Sequence, residues 1–441
     1  MNIPANTPID PDLVKRKVEE SGLESIGNAS IREIVKLVNE IEKETDKKYI
    51  RMEMGVPGLE PPQIAIDGEI NALKRGVASK YPMIEGVAEL KNEISKFVKN
   101  FMNIEIYPQG CLPTVGSMQG AFASFLVSCR RDPKKDTTLF IDPGFPVQKQ
   151  QHKVLGYKYE SFDVYNFRGD KLKEKLESYL KKGNISTILY SNPNNPSWIC
   201  FTDKELQIIG ELATKYDVVV MEDLAYFGMD FRMDLSQPGK PPYQPSVANY
   251  TDNYILLISS SKAFSLAGER IGTMAISDKL FTRKFSNLKK YYPNEGFGYS
   301  MIYGALYTLS SGTNHSAQYG LLEILKAVNE GKYNFVENVK EYGKRANIMK
   351  KLFTKYGFEI VYNKDEDVEL ADGFYFTFSY PGMNGSELLE NLIYYGISAI
   401  TLDITGSERS EGLRACVSQI SRDQFDDLEK RLEQFQKDHS N

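Results

Sequence analysis

Histidine and cysteine are scarce in this sequence, and the few copies are widely separated. The three histidines, His152, His315 and His439, do not cluster, which argues against a histidine-ligated metal centre and against a serine–histidine–acid hydrolase. The four cysteines include no CxxC pair, so neither a zinc site nor a disulfide framework is indicated. We therefore expect the base in any chemistry here to be a residue other than histidine.

Long apolar runs and an excess of positive charge are also missing. No stretch approaches the roughly 18 apolar residues of a membrane-spanning helix, and the first residues lack the apolar core of a secretory signal. The chain carries 54 lysines and arginines against 59 acidic residues, with no basic stripe interleaved with aromatic residues. We expect a cytoplasmic protein whose partners are neither membranes nor nucleic acids.

What the sequence does contain is an alternation of short β-rich runs with helical stretches. At 441 residues the chain exceeds the usual size of one hydrophobic core, so two packed domains are expected. The alternation predicts an α/β fold with a mainly parallel sheet covered by helices. Thr202 and Glu205 predict a capping box where a helix begins. The predicted strands are 137–142, 186–192, 217–223, 254–260 and 271–277.

The character of the sequence changes near Asn329. A long helical stretch over 331–357 leads into short strands, so we interpret residues 330–441 as a smaller α+β domain. Residues 51–329 would form the larger domain, and residues 1–50 are expected to pack on the smaller one. Because ligands of open α/β sheets bind beyond the carboxyl ends of the strands, chemistry is expected in the residues that follow each strand.

The segment SSSKAFSLAGERIG (259–272) offers a nucleophile beside an anion site. A lysine with its usual pKa is protonated and unreactive, but next to a cation in a desolvated pocket Lys262 can form an imine. The guanidinium of Arg270 can hold a phosphate through two hydrogen bonds, with the Ser259 hydroxyl donating another. Taken alone, such a lysine–arginine pair is more often part of a solvated surface.

The pattern SxxK followed by GxRxG resembles the cofactor-lysine segment of class I and II aminotransferases. That family binds pyridoxal 5'-phosphate in fold type I, which has a large domain with a mainly parallel sheet between helices and a smaller α+β domain. The resemblance implies that Lys262 carries the cofactor as a Schiff base. It also implies that Ser259 and Arg270 bind the cofactor phosphate.

Two further segments resemble the parts of this family that contact the cofactor ring. EDLAYFGMDF (222–231) is similar to the D-x-x-Y segment, in which Asp223 would pair with the pyridine nitrogen and Tyr226 with the phenolic oxygen. A buried carboxylate keeps the ring nitrogen protonated, and the protonated ring draws electrons from the substrate. YSNPNNPSW (190–198) is similar to N-P-x-N-P-[ST]-G, which assigns Asn195 to the phenolic oxygen as well.

Trp198, the only tryptophan in the chain, stands where that family motif has glycine. If a positive φ is essential at this position, a tryptophan strains the loop. Two interpretations stay open: either the backbone differs here, or the tryptophan has a local role such as walling the substrate pocket. A plain packing role is equally compatible with the sequence.

Two loops resemble the family's phosphate and ring contacts. PTVGSMQGAFASFLVSC (113–129) places a glycine turn before an apolar helix, which makes a ready anion site. The resemblance assigns the phosphate contacts to Ser117 and Met118 through their backbone amides. IDPGFPVQ (141–148) matches D-P-x-[YFW]-P, whose aromatic ring, here Phe145, stacks on the cofactor. Without the resemblance, Phe145 would be interpreted as a core residue after a turn.

The segment KYPMIEGVAELKNEI (80–94) resembles one whose tyrosine reaches the cofactor phosphate of the neighbouring subunit. In this chain that tyrosine is Tyr81. The resemblance therefore implies a homodimer with shared active sites.

Near the C-terminus, GLRACVS (412–418) resembles the strand whose arginine, here Arg414, clamps the substrate α-carboxylate with two hydrogen bonds. Upstream, MGVPGLEPP (54–62) resembles the family's G-x-P segment, which puts Gly55 and Val56 on the carboxylate side. The similar segments occur in family order and cover most of the chain.

The resemblance implies an aminotransferase that moves an amino group from an amino acid to a 2-oxo acid in a ping-pong cycle, with Lys262 as cofactor anchor and general base. The same apparatus supports a C–S β-lyase, which the sequence does not distinguish. A non-catalytic ligand-sensing regulator is disfavoured because the resemblance begins near the N-terminus. A dinucleotide-binding protein is disfavoured because no GxGxxG follows the first strand. The amino donor and acceptor stay open.

Overall fold

The computed structural model describes residues 6–439, and their contacts divide them into two compact units. The described part of unit 1 comprises residues 6–58, Asn195–Ile199 and 340–439. Unit 2 comprises Leu59–Asn194 and Cys200–Val339.

Strands and helices alternate along most of the described chain. The strands are β1 (Ile50–Arg51), β2 (Cys111–Thr114), β3 (Thr137–Asp142), β4 (Lys158–Asp163), β5 (Ile185–Ser191), β6 (Val219–Leu224), β7 (Tyr254–Ser259), β8 (Gly272–Ile276), β9 (Glu359–Ile360), β10 (Lys364–Asp365), β11 (Val368–Glu369), β12 (Tyr375–Ser379), β13 (Ile397–Ser398), β14 (Ile400–Thr401) and β15 (Leu413–Cys416). The helices are α1 (Pro11–Ser21), α2 (Ile31–Lys43), α3 (Gln63–Lys74), α4 (Ala88–Met102), α5 (Gly116–Ser128), α6 (Pro146–Leu155), α7 (Asp170–Leu180), α8 (Asp203–Lys215), α9 (Ser260–Ala263), α10 (Asp278–Thr282), α11 (Phe297–Tyr299), α12 (Tyr307–Ser310), α13 (His315–Asn329), α14 (Phe335–Lys355), α15 (Gly385–Tyr394) and α16 (Phe425–His439). None of these helices is long and apolar enough to cross a membrane.

Unit 2 is built on a seven-stranded sheet in the order β2-β8-β7-β6-β5-β3-β4. Strands β3 to β7 pair in parallel, whereas β8 runs antiparallel to both β7 and β2. The five runs that the sequence predicts as strands are β3, β5, β6, β7 and β8, so the mainly parallel α/β architecture is confirmed.

Local sequence signals explain how individual elements of unit 2 begin and pack. Thr202 accepts a hydrogen bond from the backbone of Glu205, and Glu205 accepts one from the backbone of Thr202, so the predicted capping box starts α8. Helix α5 is apolar on nearly all sides and packs Phe125 into a core with Leu257 and Met274 of the sheet. That packing fixes α5 against the sheet.

Unit 1 contains a four-stranded antiparallel sheet in the order β14-β15-β12-β9. Its N-terminal residues join the C-terminal ones, since β1 pairs in parallel with β13 and the backbone of Ile9 donates to the carbonyl of Tyr394 at 3.1 Å. The division of the chain into domains at residues 50 and 329 stays a prediction.

Candidate active site

Several of the residues assigned to the cofactor lie at one edge of the sheet in unit 2. Parallel strands β3, β5, β6 and β7 end at this edge, and antiparallel β8 begins there. Gly272, the first residue of β8, pairs with Thr114 at the end of β2 and with Ser259 at the end of β7. Asp223 pairs with Ser191 at the end of β5. The topology thus gathers residues that are far apart in sequence.

The turn before α5 forms a cradle with Arg270. Gly116 has a left-handed φ of 64°, and a Cβ at this position would lie 2.6 Å from Nη2 of Arg270. A Cβ on Gly272 would lie 3.0 Å from the backbone nitrogen of Ser117. Glycine at both positions therefore lets the guanidinium and β8 approach the backbone N–H groups at the start of the helix.

The polar groups of this cradle fit a phosphate. The Ser117 hydroxyl is buried and has no hydrogen-bond partner among residues 6–439. Arg270 is exposed, donates from Nη1 to the carbonyl of Ala267 at 2.8 Å, and forms no ion pair with a described acidic residue. A cation, a spare hydroxyl and helix N-terminal N–H groups are the donors that a phosphate dianion requires.

Lys262 and Asp223 share one electrostatic environment. Burial raises the pKa of Asp223 to about 6, while a hydrogen bond from Gln148 and the positive charge of Lys262 oppose that rise. Lys262 lies in α9, just after β7, and is half-buried. Its Nζ is 5.8 Å from the centre of the Tyr226 ring. The structure therefore places the predicted lysine, carboxylate and tyrosine together.

Two donors fix the Asp223 carboxylate. Oδ2 accepts a hydrogen bond from Nε2 of Gln148 at 2.9 Å, and Oδ1 accepts one from the backbone of Ala225 at 3.1 Å. Because the carboxylate is desolvated, its ionised form is favoured by a cationic partner such as a protonated ring nitrogen.

Helix α6 follows β3 and begins at the same edge. Phe145 precedes its first residue and is half-buried, and Gln151 donates to the backbone carbonyl of Met118 at 3.1 Å. Tyr81 differs from these residues, because its side chain is 93% exposed and has no hydrogen-bond or ring partner among residues 6–439. A role for Tyr81 in a neighbouring subunit stays a prediction.

Arg414 in unit 1 is a buried cation held by neutral groups. The side chain is 1% exposed, donates from Nη1 to Oδ1 of Asn195 at 3.3 Å, and donates from Nη2 to the backbone carbonyl of Glu53. Its Nε has no hydrogen-bond partner among the described residues, and none of their carboxylates pairs with it. Since an unpaired buried charge is destabilising, this arrangement suits an incoming anion.

The carboxylate of Glu53 is not available to Arg414, because it is already satisfied. It pairs with Arg51 at 2.7 Å and accepts a hydrogen bond from Ser398 at 2.6 Å. The following segment is also fixed, since the carbonyl of Val56 accepts a hydrogen bond from Gln419 at 3.2 Å. Gly55 approaches Tyr375 so closely that a Cβ there would overlap the phenolic hydroxyl.

Trp198 keeps a positive φ of 65°, so the interpretation that the backbone differs at this position is wrong. A left-handed conformation costs a bulky residue about 1 to 3 kcal/mol unless its surroundings enforce it. The indole is 1% exposed and packs against Gly373, where a Cβ would overlap it. Its ring centre lies 6.2 Å from that of Tyr375, in an edge-to-face arrangement. The side chain of Trp198 is therefore closely packed at a position where its backbone is strained.

Comparison with known proteins decides the family. A family model described as aminotransferase class I and II matches residues 47–432. The chain belongs to this family. The resemblance drawn from the lysine segment is confirmed, and so is the expected cofactor, since these aminotransferases depend on pyridoxal 5'-phosphate.

Individual relatives are distant. A probable aspartate aminotransferase of Methanocaldococcus jannaschii is 26% identical over 261 residues, which are 59% of this chain and 64% of that protein. The aspartate aminotransferase of Bacillus subtilis is 26% identical over 235 residues, 51% of this chain and 56% of that one. These matches thus span less than two thirds of either relative. An aspartate aminotransferase structure from Thermotoga maritima has a TM-score of 0.74 at 20% identity, covers 95% of this chain and 99% of that one, and shows the same fold.

Sequence patterns did not single out two residues of the candidate site. Gln148 carries a weak signal, since it lies in the first turn of α6 just after Phe145. No sequence signal marks Tyr375, because its position relative to Arg414 depends on the register of the sheet. Thr377 of β12 pairs with Arg414, and residues two apart on a strand share a face, so Tyr375 lies diagonally across from the arginine.

Proposed function

We propose that this protein is a pyridoxal-phosphate-dependent aminotransferase that transfers an amino group from an amino acid to a 2-oxo acid by a ping-pong mechanism. The observation that carries the proposal is the placement of a half-buried Lys262 beside a buried Asp223, at the sheet edge that also bears the Arg270 cradle. The family match supports the same reaction.

The residues of unit 2 would hold the cofactor by complementary chemistry. Arg270, the Ser117 and Ser259 hydroxyls and the backbone amide of Met118 would bind the phosphate. Asp223 would pair with the ring nitrogen, which is why a desolvated carboxylate is useful there. The bound cofactor supplies an electron sink for the bonds at Cα of the amino acid.

Three further side chains are assigned to the ring. Phe145 would stack on one face, and the Tyr226 hydroxyl and the Asn195 amide would bind the phenolic oxygen. In the structure Oδ1 of Asn195 accepts a hydrogen bond from Arg414, and the amide nitrogen is the end of the side chain that can donate.

Lys262 would both anchor the cofactor and move the reacting proton. As a neutral amine, the side chain of Lys262 would be able to accept a proton. In that state the amine can take a proton from Cα of the amino acid and return it to the adjacent carbon of the cofactor.

Arg414 would orient the substrate. Its unpaired Nε and its burial favour a carboxylate partner, and the planar guanidinium can hold that carboxylate with two parallel hydrogen bonds. Gly55 and Val56 would line this side of the substrate. When the α-carboxylate is fixed, the Cα–H bond of the amino acid is held in one orientation. A fixed orientation is a condition for efficient proton transfer.

Assembly and location are part of the proposal. Exposed Tyr81 supports a homodimer in which each subunit contributes to the other's phosphate site. The four cysteines are free and buried, which is typical of proteins in a reducing compartment and supports a cytoplasmic location.

The decisive experiment replaces Lys262 with alanine. We expect the purified wild type to carry a visible, borohydride-reducible chromophore, and we expect Lys262→Ala to lose both the chromophore and transaminase activity. Lys279→Ala is the matched control, because Lys279 is an exposed lysine that pairs with Asp252. A reducible chromophore that persists in Lys262→Ala would refute the assignment of the anchor.

A second assay separates the reaction types. The names of the relatives favour transamination over C–S β-elimination. We expect a panel of amino acids to yield more than one equivalent of 2-oxo acid per subunit only when a 2-oxo acid acceptor is present. Release of pyruvate and ammonia from a β-substituted amino acid without an acceptor would identify a β-lyase instead.

A further inference from the structure

Tyr375 contacts Arg414, and no motif assigns it a role. The guanidinium carbon of Arg414 lies 4.6 Å from the centre of the Tyr375 ring, within the range of a cation–π interaction. The ring is buried, so this attraction is not weakened by water as it would be on the surface. The ring face therefore defines one side of the guanidinium.

Two close approaches that only glycines permit hold Tyr375 and the neighbouring Trp198 in place. Its hydroxyl fills the space that a Cβ on Gly55 would occupy, and the Trp198 indole fills the space that a Cβ on Gly373 would occupy. The indole meets the phenol at 66° with ring centres 6.2 Å apart. All of these residues belong to unit 1, so the arrangement lies within one compact body.

We propose that Tyr375 and Trp198 are positioning residues for the carboxylate-binding arginine. Tyr375 holds the Arg414 guanidinium in one plane through its ring face, and Trp198 acts only through Tyr375 by fixing the tilt of that ring. The tryptophan that replaces the family glycine is therefore part of the carboxylate site without touching the substrate. The inference rests on the proposed function in one respect, namely that Arg414 binds the substrate carboxylate.

The first test measures carboxylate binding without catalysis. Trp198 is the only tryptophan, so tryptophan emission of the holoenzyme reports on this cluster. We expect sodium propionate, a carboxylate without an amino group, to change that emission with saturation. Tyr375→Leu should raise the half-saturating concentration about tenfold, whereas Tyr375→Phe should stay within about twofold, because phenylalanine keeps the ring face.

Kinetics provide the second readout. In Tyr375→Leu we expect KM for the amino donor to rise about tenfold with kcat at saturation nearly unchanged, and Tyr375→Phe to restore KM. If Tyr375→Leu does not fold, Tyr375→Met provides similar bulk without a ring face. Phe376→Leu is the matched control, since its neighbouring position on β12 places it on the opposite face of the sheet, and it should leave KM unchanged.

A double-mutant cycle tests the role of Trp198. Trp198→Gly should raise KM about threefold, and Trp198→Gly combined with Tyr375→Leu should be no worse than Tyr375→Leu alone, because the indole acts through the phenol. Additive effects would overturn the proposal, as would a wild-type KM in Tyr375→Leu or an equal loss in Tyr375→Phe. Failure of the proposed function is distinguishable, because then Arg414→Leu would leave both propionate binding and KM unchanged.

Discussion

The two proposed anion sites of this chain are built in opposite ways. In unit 2, exposed Arg270 stands beside the backbone N–H groups of α5, so several independent donors would share one anion. In unit 1, Arg414 is buried against a ring, a carbonyl and an amide. A solvated, shared site tolerates the loss of one contact, whereas a desolvated, single-residue site does not. We therefore expect burial to set the size of each mutational effect.

The largest effect is expected at Asp223, the buried carboxylate beside Lys262 in unit 2. Asp223→Asn removes the negative charge that would stabilise a protonated ring nitrogen, so kcat/KM should fall on the order of 10³-fold. Steady-state kinetics measure the loss, with exposed Asp252→Asn as the control. A decrease of less than about tenfold would show that burial of the carboxylate is not used for catalysis.

Arg414→Lys comes next and tests the buried site directly. Lysine keeps the charge but loses the planar fork and the ring contact, so kcat/KM should fall by about 100-fold, mainly through KM. Arg422→Lys, at an exposed arginine that pairs with Glu341, should have no effect. If Arg414→Lys behaves like this control, the comparison between the two sites fails.

Arg270→Lys should have a smaller effect. The N–H groups of α5 and the Ser117 hydroxyl remain, and lysine still offers a positive charge, so cofactor affinity should weaken only about tenfold. Titration of the apoprotein with pyridoxal 5'-phosphate measures the change. A loss as large as that in Arg414→Lys would mean that the two sites do not differ in the way the structure indicates.

The smallest effect concerns pH. Burial raises the pKa of Asp223 to about 6, and the hydrogen bond from Gln148 stabilises the ionised form and lowers that pKa. The substitution Gln148→Leu removes this donor and therefore raises the pKa of Asp223. As the pH falls, the Asp223 carboxylate then becomes protonated at a higher pH than in the wild type. We expect the acidic limb of the cofactor-binding profile to move upward in pH, with affinity about threefold weaker near neutrality.

Gln150→Leu is the control for this pH effect, because Gln150 lies in the same helix with an exposed side chain. Its profile should overlay that of the wild type. An unshifted acidic limb in Gln148→Leu would show that this hydrogen bond does not control the ionisation of Asp223.

Much of the fold follows from local patterns. The β-rich runs became strands of one sheet, and Thr202 with Glu205 started α8 as a capping box. These predictions hold because strand periodicity and capping depend on residues a few positions apart. The long helix, predicted over 331–357, is Phe335–Lys355, a difference confined to its ends.

The sequence by itself determined the chemical identities: a lysine and an arginine in one segment, an acid after a strand and an arginine near the C-terminus. Only the tertiary structure decided which side chains support them. Gln148 reaches Asp223 across 75 positions of sequence, and Tyr375 reaches Arg414 through the register of β12 and β15. Burial, and with it the pKa of Asp223 and the unpaired charge of Arg414, arises from packing between distant segments, which local patterns do not encode.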